Sequence, residues 1–436
     1  MTYRKFKADY LFTGREMAGK ETVLITSADG TVQSIIPLAD AGEGVEYYHG
    51  LLSPGFVNCH CHLELSHMKG VLPELTGLVD FLLAVIRQRN QSPAYAHPFA
   101  AAQSTAPTPS LQERIRSSIE GAERAMLDNG IVAVGDICNT TDTLPEKITG
   151  RLYYHNFIET LGFIGATAAE RFGHSRKIYE TFAGAGRSPE RATRPVKRSP
   201  DTPGATSIVP HAPYSVSPDL FRLVAGFPGN HLLTIHNQEN EAENAFSISG
   251  QGDFLRLYQA MDLDVSFWRG TGKRSLESFL PHFHPDQSLI LVHNVATTAT
   301  DLVNLNQPVN AGTVAVNPNT PKLFFCLCPN ANLYIGGQLP DIDLLRQQGR
   351  TIVIGTDSLA SNHQLSILEE IKTIQRAFPH LPTPTLLEWA TSNGARALQQ
   401  ETVLGSFLPG HQPGVLLIEH LEGEKFSERS KAKRLI

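Results

Sequence analysis

Short apolar runs alternate with longer amphipathic stretches from about residue 53 to residue 402. The runs have the length of buried strands, whereas the stretches between them follow the helical period, as in Leu111–Leu127, Asp341–Gln348 and Ser366–Phe378. This alternation predicts a parallel sheet covered by helices, and eight strands predict an α/β fold of the closed (β/α)₈, TIM-barrel type. The predicted strands are Gly55–His60, Ile131–Asp136, Arg151–Ile158, Ser207–His211, Leu232–His236, Leu289–His293, Leu323–Cys328 and Ile352–Asp357.

The two ends of the chain show a different pattern. The first 52 residues contain strand-like runs separated by turns, such as Thr22–Thr26 and Val32–Ile36, and Pro413–Glu419 has the pattern of another short strand. We therefore predict a small β-sandwich domain formed by residues 1–52 and 403–436, beside a larger barrel domain of residues 53–402. The charged residues Lys425–Arg434 are expected to fray.

Two stretches interrupt the alternation of strands and helices. Ser92–Pro109 is rich in alanine, proline, serine and threonine, and Gly184–Gly204 is rich in proline and arginine. We interpret both as loop insertions, and the basic one as a solvated loop rather than an anion-binding site.

The composition narrows the class of partner. The chain of 436 residues has 37 basic and 43 acidic residues and a net charge of −6, which favours neither a nucleic acid nor a membrane surface. It also lacks a signal-peptide core and any apolar run of about 18 residues, the length that spans a bilayer. We therefore expect a cytoplasmic protein with a small-molecule substrate, and a homodimer as the default assembly.

Four of the five cysteines form two Cys-x-Cys pairs, Cys59 with Cys61 and Cys326 with Cys328. Structural zinc sites usually have at least two residues between paired cysteines. We therefore expect buried, reduced thiols rather than a metal bound by cysteine or a disulfide framework.

Side chains that can bind metals or protons stand at the carboxyl ends of five predicted strands. In a (β/α)₈ barrel these ends meet on one face, where active sites are built. A single histidine at a strand end is commonly only a hydrogen-bonded partner, but five such positions predict a shared site. The residues are His60, with His62 just beyond it, His211, His236, His293 and Asp357.

The predicted metal ligands are His60, His62, His236 and Asp357. His60 and His62 are two residues apart, so their imidazoles share one face of a strand and can bind the same ion. His236 adds a third imidazole, and Asp357 can both bind the metal and accept a proton from the water that the metal activates. Three imidazoles and a carboxylate suit one Zn²⁺ ion, with Fe²⁺ or Mn²⁺ as alternatives.

Glu239 follows His236 by three residues and is predicted to move protons between water and the leaving group. The alternative is an acidic side chain in the first turn of a helix, facing solvent. His293 is expected just outside the metal ligands, where it can hydrogen-bond the attacking hydroxide or a developing oxyanion. His211 is expected to contact substrate. Its strand lacks the lysine that bridges the ions of two-metal barrels, so one ion is favoured.

The run PGFVNCHCHLELS at 54–66 resembles the opening signature of the amidohydrolase superfamily. The runs HAPYS at 211–215, LVHN at 291–294, CPNAN at 328–332 and GTDSLASN at 355–362 resemble its deaminase branch. That branch includes deaminases of S-adenosylhomocysteine, 5′-methylthioadenosine and 6-amino-6-deoxyfutalosine, and also chlorohydrolases. The first and last runs are most similar to aminodeoxyfutalosine deaminases, which act in an alternative menaquinone pathway.

The resemblance implies a mechanism in which hydroxide on the metal attacks C6 of an aminopurine, Glu239 protonates the ring nitrogen, and ammonia leaves. It also implies carboxylates on the ribose hydroxyls, for which Glu64, Glu74 and Asp80 are candidates. Arg87 and Arg89 are candidates for binding a substrate carboxylate, although an exposed helix surface is an equal alternative.

Two other functions stay open at this point. The same scaffold could remove an amine, an amide or chloride from another small heterocycle such as guanine, a pterin or a triazine. From another class, a catalytically inactive barrel could serve as a binding or assembly protein, although the complete ligand set disfavours that alternative.

Overall fold

The computed structural model describes residues 2–91, 110–185, 205–305 and 321–436. The predicted insertion Ser92–Pro109 and the part of Gly184–Gly204 that follows residue 185 lie outside the described residues.

The described chain alternates strands and helices through most of its length. The strands are β1 (Tyr3–Lys7), β2 (Tyr10–Leu11), β3 (Thr22–Ser27), β4 (Val32–Pro37), β5 (Val45–Tyr47), β6 (Leu51–Ser53), β7 (Phe56–Cys61), β8 (Ile131–Cys138), β9 (Tyr153–Thr160), β10 (Thr206–Pro210), β11 (Leu232–Asn237), β12 (Ser288–His293), β13 (Lys322–Leu327), β14 (Ile352–Ile354), β15 (Leu416–Glu422) and β16 (Lys425–Arg434). The helices are α1 (Leu78–Gln91), α2 (Leu111–Asp128), α3 (Leu144–Lys147), α4 (Ala168–Ala185), α5 (Pro218–Ala225), α6 (Glu241–Ser249), α7 (Phe254–Ala260), α8 (Ser275–Phe279), α9 (Ala299–Asn304), α10 (Pro329–Gly336), α11 (Ile342–Gln347), α12 (Ile367–Ala377), α13 (Thr383–Ala390) and α14 (Ser392–Ala397).

Each of the eight strands predicted for the barrel overlaps one of β7 to β14. These strands form two four-stranded parallel sheets, in the orders β7-β8-β9-β10 and β11-β12-β13-β14. Contacts also join the two sheets at both seams. A parallel bridge pairs Cys61 with Asp357, and the amide of His236 donates to the carbonyl of His211 at 2.9 Å. The predicted parallel α/β fold is thus confirmed.

Burial explains why these segments are strands. Every residue of β8 and β9 is buried, as expected for parallel strands that are covered on both faces. The helices that cover them have local start signals. In α2, the Ser110 side chain accepts from the amide of Glu113, whose carboxylate accepts from the amide of Ser110, so the helix begins with a capping box.

The chain ends form two further four-stranded sheets, in the orders β4-β3-β1-β5 and β16-β15-β6-β2. The prediction that residues Lys425–Arg434 fray is wrong, because these residues are β16, paired antiparallel with β15. Phe426 and Ser430 are buried while most of the charged side chains are exposed. Charged residues are typical of an edge strand, where they discourage pairing with another chain, so high charge did not exclude a strand here.

The two terminal segments share a small core. Its buried members come from both ends of the chain, including Phe6, Leu24 and Leu52 from the first segment and Val415 and Leu417 from the last. Within the described residues, no helix has the length and apolar character that crossing a bilayer requires.

Candidate active site

The structure brings the six residues predicted from the strand ends to one edge of the parallel sheets. His60 is the penultimate residue of β7, His293 is the last residue of β12, and His236 is the penultimate residue of β11. His211 directly follows β10, and Asp357 follows β14 by three residues. Because neighbouring parallel strands end at the same edge, side chains from distant parts of the sequence become neighbours.

The donor atoms of His60, His62, His236 and Asp357 all lie within 4.8 Å of one another, and all four residues are buried. The Nε2 atoms of His60 and His62 are 3.2 Å apart. Asp357 Oδ1 lies 3.6 Å from the first of these atoms and 3.4 Å from the second. Ligands about 2.0–2.1 Å from a tetrahedral zinc ion are roughly 3.3 Å from each other. The residues therefore fit a divalent cation.

The orientation of His236 leaves one nitrogen for a metal. Its Nδ1 lies 2.9 Å from the carbonyl oxygen of His211, to which it donates, so Nε2 remains available as a ligand. A second group of possible ligands, Glu159, His211 and His236, shares this imidazole. The nitrogen of His236 that lies 3.9 Å from Glu159 is Nδ1, which already donates to the His211 carbonyl, so this arrangement favours a single ion.

The protonation states also suit a cation. Burial, reinforced by the neighbouring imidazoles, lowers the pKa of His236 well below its usual value. Burial alone would raise the pKa of Asp357, but its hydrogen bond with His60 and the charges of the surrounding histidines lower that pKa well below the usual range. His236 is thus neutral and Asp357 ionised at neutral pH, which are the forms that bind metals.

Four non-glycine residues at this edge adopt left-handed backbone conformations. These are Gln238, His293, Asn294 and Asp357, with φ angles of 46°, 75°, 62° and 57°. Such a conformation costs on the order of 1 kcal/mol or more, and it persists only where the surroundings hold it. Strained residues of this kind cluster at functional sites, which supports the assignment of this edge as the site.

Strand β7 and a serine hold Asp357 in place. The amide of Asp357 donates to the carbonyl of His60 at 3.1 Å, and the Ser361 hydroxyl donates to Asp357 Oδ2 at 2.6 Å. Gly355 permits this close approach, because a Cβ atom at its position would lie 2.8 Å from His60 Cβ. The turn after β14 is therefore built to bring a carboxylate against the histidines of β7.

His293 is held by its neighbours on three strands. The next residue, Asn294, has a φ of 62°. Its side-chain amide accepts from Asn237 Nδ2 at 3.0 Å and donates to the carbonyls of Leu291 at 2.9 Å and Cys326 at 3.2 Å. Burial lowers the pKa of His293 to about 3, so its imidazole is neutral at physiological pH.

Glu239 lies beside His293 rather than in solvent. Its Oε1 is 3.6 Å from His293 Nε2, and only 7% of its side chain is exposed. Burial raises the pKa of Glu239 well above its usual value, and the charges of Asp357 and Glu243 raise it further. Helix α6 begins two residues later, so the alternative of a solvent-facing helix acid is disfavoured. A carboxyl group that holds its proton can act as a general acid.

His211 and Glu64 also lie at this edge. His211 Nδ1 is 2.7 Å from the Ser215 hydroxyl, and its ring centroid is 4.7 Å from that of His236. Glu64 is buried, and its Oε2 accepts from the amides of Asn139 and Thr140, both at 3.0 Å. This oxygen is thus used by the turn after β8. The substrate-binding roles of both residues stay predictions.

The other predicted substrate contacts lie further out. Glu74 is 3.6 Å from the imidazole of His363, and Asp80 forms an ion pair with Arg256 at 2.5 Å. Arg87 is exposed on α1, and the side chain of Arg89 lies outside the described part of the chain. Their roles in binding ribose or a substrate carboxylate are not tested by these positions.

The sequence did not predict a buried ion pair that supports the turn after His62. Asp136 accepts from the amide of Leu63, the residue after His62, at 2.8 Å, and it pairs with Lys147 at 2.5 Å. Asp136 could have been found, since it ends a predicted strand. Lys147 gave no signal, because its short helix α3 has no distinctive pattern. All five cysteines are free and buried.

The chain is similar in sequence and fold to known deaminases. An aminodeoxyfutalosine deaminase of Nitratiruptor sp. is 25% identical over 389 residues, which cover 86% of this chain and 80% of that protein. The crystal structure of Helicobacter pylori aminofutalosine deaminase in complex with methylthio-coformycin has a TM-score of 0.75 at 19% identity and covers 99% of this chain and 100% of that one.

A zinc-bound adenosine deaminase of Xanthomonas campestris has a TM-score of 0.64 at 20% identity, and the match covers 95% of this chain and 84% of that one. The model of the family described as "Amidohydrolase family" matches residues 51–431. These neighbours and this family imply a TIM-barrel fold. The chain belongs to the amidohydrolase family, whose members are metal-dependent.

Proposed function

We propose that this protein is a metal-dependent hydrolytic deaminase of an aminopurine nucleoside, with 6-amino-6-deoxyfutalosine as the first candidate substrate. Family membership together with deaminase relatives indicates a hydrolytic deaminase. The aminodeoxyfutalosine deaminase relative supports the substrate and a place in menaquinone biosynthesis. Adenosine, 5′-methylthioadenosine and S-adenosylhomocysteine are the next candidates, since they carry the same 6-aminopurine.

The observation that carries the proposal is the position of Glu239. It lies beside His293 at the same sheet edge as the four metal-competent side chains, and its pKa is raised. Hydrolytic deamination of a purine needs a nucleophilic oxygen at one atom and a proton donor for the adjacent ring nitrogen. A protonated carboxyl next to a cation site satisfies both needs.

The proposed ligands are His60, His62, His236 and Asp357, and the proposed ion is Zn²⁺, with Fe²⁺ or Mn²⁺ as alternatives. The zinc of the adenosine deaminase neighbour supports that choice. When bound, such an ion supplies Lewis acidity that brings the pKa of water toward neutrality.

The side chains then have separate roles. Asp357, which is ionised, accepts the proton that the attacking water loses. Glu239 delivers a proton to the ring nitrogen next to the carbon under attack, and addition of oxygen at that carbon ends the aromaticity of the ring. Asp357 passes its proton to the amino group, which leaves as ammonia, and Glu239 regains a proton from the added hydroxyl as the new carbonyl forms. His293, which is neutral, donates a hydrogen bond to the oxygen that becomes the new carbonyl. His211 and Glu64 are proposed to contact the nucleoside.

We further propose that β7 to β14 close into one barrel, supported by the bridge between Cys61 and Asp357 and by the hydrogen bond between His236 and His211. The proposed boundaries are residues 53–402 for the barrel and residues 1–52 with 403–436 for a small β-sandwich. The core shared by Phe6 and Leu417 supports that second domain.

The test is ammonia release by zinc-reconstituted protein across a panel of substrates. The panel contains 6-amino-6-deoxyfutalosine, adenosine, 5′-methylthioadenosine, S-adenosylhomocysteine, guanine and a chlorotriazine. We expect the highest kcat/KM on a 6-aminopurine nucleoside. Activity restricted to free bases would contradict the assignment of a nucleoside as the substrate. Release of chloride would favour the chlorohydrolase alternative.

Metal analysis separates the enzyme from an inactive barrel. We expect about one ion per chain and loss of activity on chelation, with recovery when Zn²⁺ is restored. A preparation that neither binds Zn²⁺, Fe²⁺ or Mn²⁺ nor turns over any member of the panel would favour the binding or assembly protein.

A further inference from the structure

We propose that Asn332 is a positioning residue that fixes the tautomer of His293, so that the imidazole carries its proton on Nε2 and presents it toward Glu239. This inference rests on the proposed function only in the role that it gives to His293. Asn332 stands in the CPNAN run after β13.

The contact that carries the inference is short and buried. Asn332 Nδ2 lies 2.9 Å from His293 Nδ1, and the two residues are 3% and 1% exposed. An amide nitrogen can only donate, so Nδ1 must accept. A neutral imidazole that accepts at one nitrogen carries its proton on the other, which here is the nitrogen 3.6 Å from Glu239 Oε1.

The reverse orientation of the Asn332 amide would be less favourable. Its Oδ1 is buried and has no hydrogen-bond partner among the described residues. Exchanging the two atoms would put two N–H donors in that place, and buried unpaired N–H groups are rarer in proteins than buried carbonyls that lack a partner.

The backbone prevents either partner from moving away. His293 has a φ of 75° and is followed by Asn294, whose amide is bonded to strands β11, β12 and β13. Asn332 lies near the start of α10, where its backbone N–H donates to the backbone carbonyl of Cys328 at 2.9 Å. The backbone therefore holds both side chains in contact, and the hydrogen bond between them sets the tautomer of His293.

This tautomer matters because the reaction creates negative charge on oxygen. An N–H directed at that oxygen stabilises the transition state, whereas a lone pair would repel it. Losing one such donor typically costs about 10²–10³-fold in kcat, with little effect on substrate binding.

The test uses two substitutions of nearly the same size. Asn332→Asp replaces the donor with an acceptor, which recruits the imidazole proton to Nδ1, and Asn332→Leu removes the hydrogen bond without replacing it. We expect kcat to fall by about 10²-fold in Asn332→Asp and by less in Asn332→Leu, with KM changed less than roughly threefold in both. Zinc content, measured on the same samples, should stay at the wild-type value.

The direct readout is NMR of protein with ¹⁵N- and ¹³C-labelled histidine, with the His293 signals assigned by their loss in His293→Gln. We expect the Nε2–H form in the wild type and the Nδ1–H form, or an imidazolium, in Asn332→Asp. Asn393→Asp is the matched control, since the Asn393 amide donates to the carbonyl of Ile352 at the opposite end of β14. It should lower stability and leave the tautomer and kcat unchanged.

An Nδ1–H form in the wild type would overturn the inference, and so would wild-type kcat in Asn332→Asp. Because the tautomer is read without turnover, it still tests Asn332 if no member of the substrate panel reacts. In that case the proposed function would fail while the inference could stand.

Discussion

The two ends of the parallel strands carry different kinds of buried charge. At the amino end, before β9, Arg151 donates to the fully buried Glu123 at 2.8 Å and also pairs with Glu146. At the carboxyl end, Asp357 lies next to the imidazoles of His60 and His62, whose nitrogens can bind a metal. At the amino end, an arginine neutralises the carboxylates. At the carboxyl end, nitrogen and oxygen atoms that can bind a metal lie close together.

This difference separates charge used for stability from charge used for chemistry. A buried carboxylate next to a guanidinium has its partner permanently, and its contribution is to the folded state. Lone pairs held 3.2–3.6 Å apart repel one another unless a cation or a proton lies among them. The left-handed φ angles of His293 and Asp357 occur at the carboxyl end, where the surrounding structure offsets their conformational cost.

The largest expected effect is at a metal ligand. His60→Ala should lose zinc and lower kcat/KM by about 10⁴-fold, because the ion supplies several kcal/mol of transition-state stabilisation. Zinc per chain and ammonia release measure both. His231→Ala is the control, since this exposed histidine directly precedes β11, at the other end from His236. Bound zinc and normal turnover in His60→Ala would remove the histidine cluster from the mechanism.

The next effect is at the proton donor. Glu239→Gln should keep its zinc and lose about 10³-fold in kcat, within the roughly 10²–10⁴-fold that proton transfer usually contributes. Glu241→Gln, which changes a carboxylate that is 65% exposed, should behave as wild type. Unimpaired turnover in Glu239→Gln would contradict the proposed role, whereas loss of zinc would make Glu239 part of the metal site.

A smaller effect, on stability alone, is expected at the amino end. Arg151→Met should lower the free energy of unfolding by about 1–3 kcal/mol, because Glu123 loses its charged partner but keeps the hydrogen bond from Tyr154. Arg151 is 40% exposed, and solvent screening favours the lower part of that range. Urea unfolding measures it. A fall in kcat of the folded enzyme would break the separation between the two ends.

The smallest effect is expected at Arg87. Since this side chain is exposed, its contribution to binding a substrate carboxylate should be that of a solvent-screened ion pair, about 0.2–1 kcal/mol. Arg87→Ala should therefore raise KM by less than about fivefold and leave kcat unchanged. Arg124→Ala, on the exposed face of α2, is the control. A hundredfold rise in KM would contradict this expectation and indicate that Arg87 binds the substrate where solvent does not screen the contact.

Much of the carboxyl edge could be predicted because strand geometry is local. The two-residue spacing of His60 and His62 puts both imidazoles on one face whatever surrounds them, and parallel strands bring their ends together. Glu239 could be predicted from its distance to His236. The hydrogen-bond partners of Glu64 and Asn332 could not, because they come from other strands and loops, among them Asn139 and His293 respectively.

The sequence by itself determined which segments become strands and helices, which strand ends carry chemistry, and which family the chain resembles. These properties follow from side-chain periodicity and from motifs within short windows. Only the tertiary structure decided that Lys425–Arg434 form a strand, that Lys147 supports the turn after β7, and which nitrogen of His293 meets an amide. Burial and hydrogen-bond pairing join residues that are distant in the chain, and no local pattern contains them.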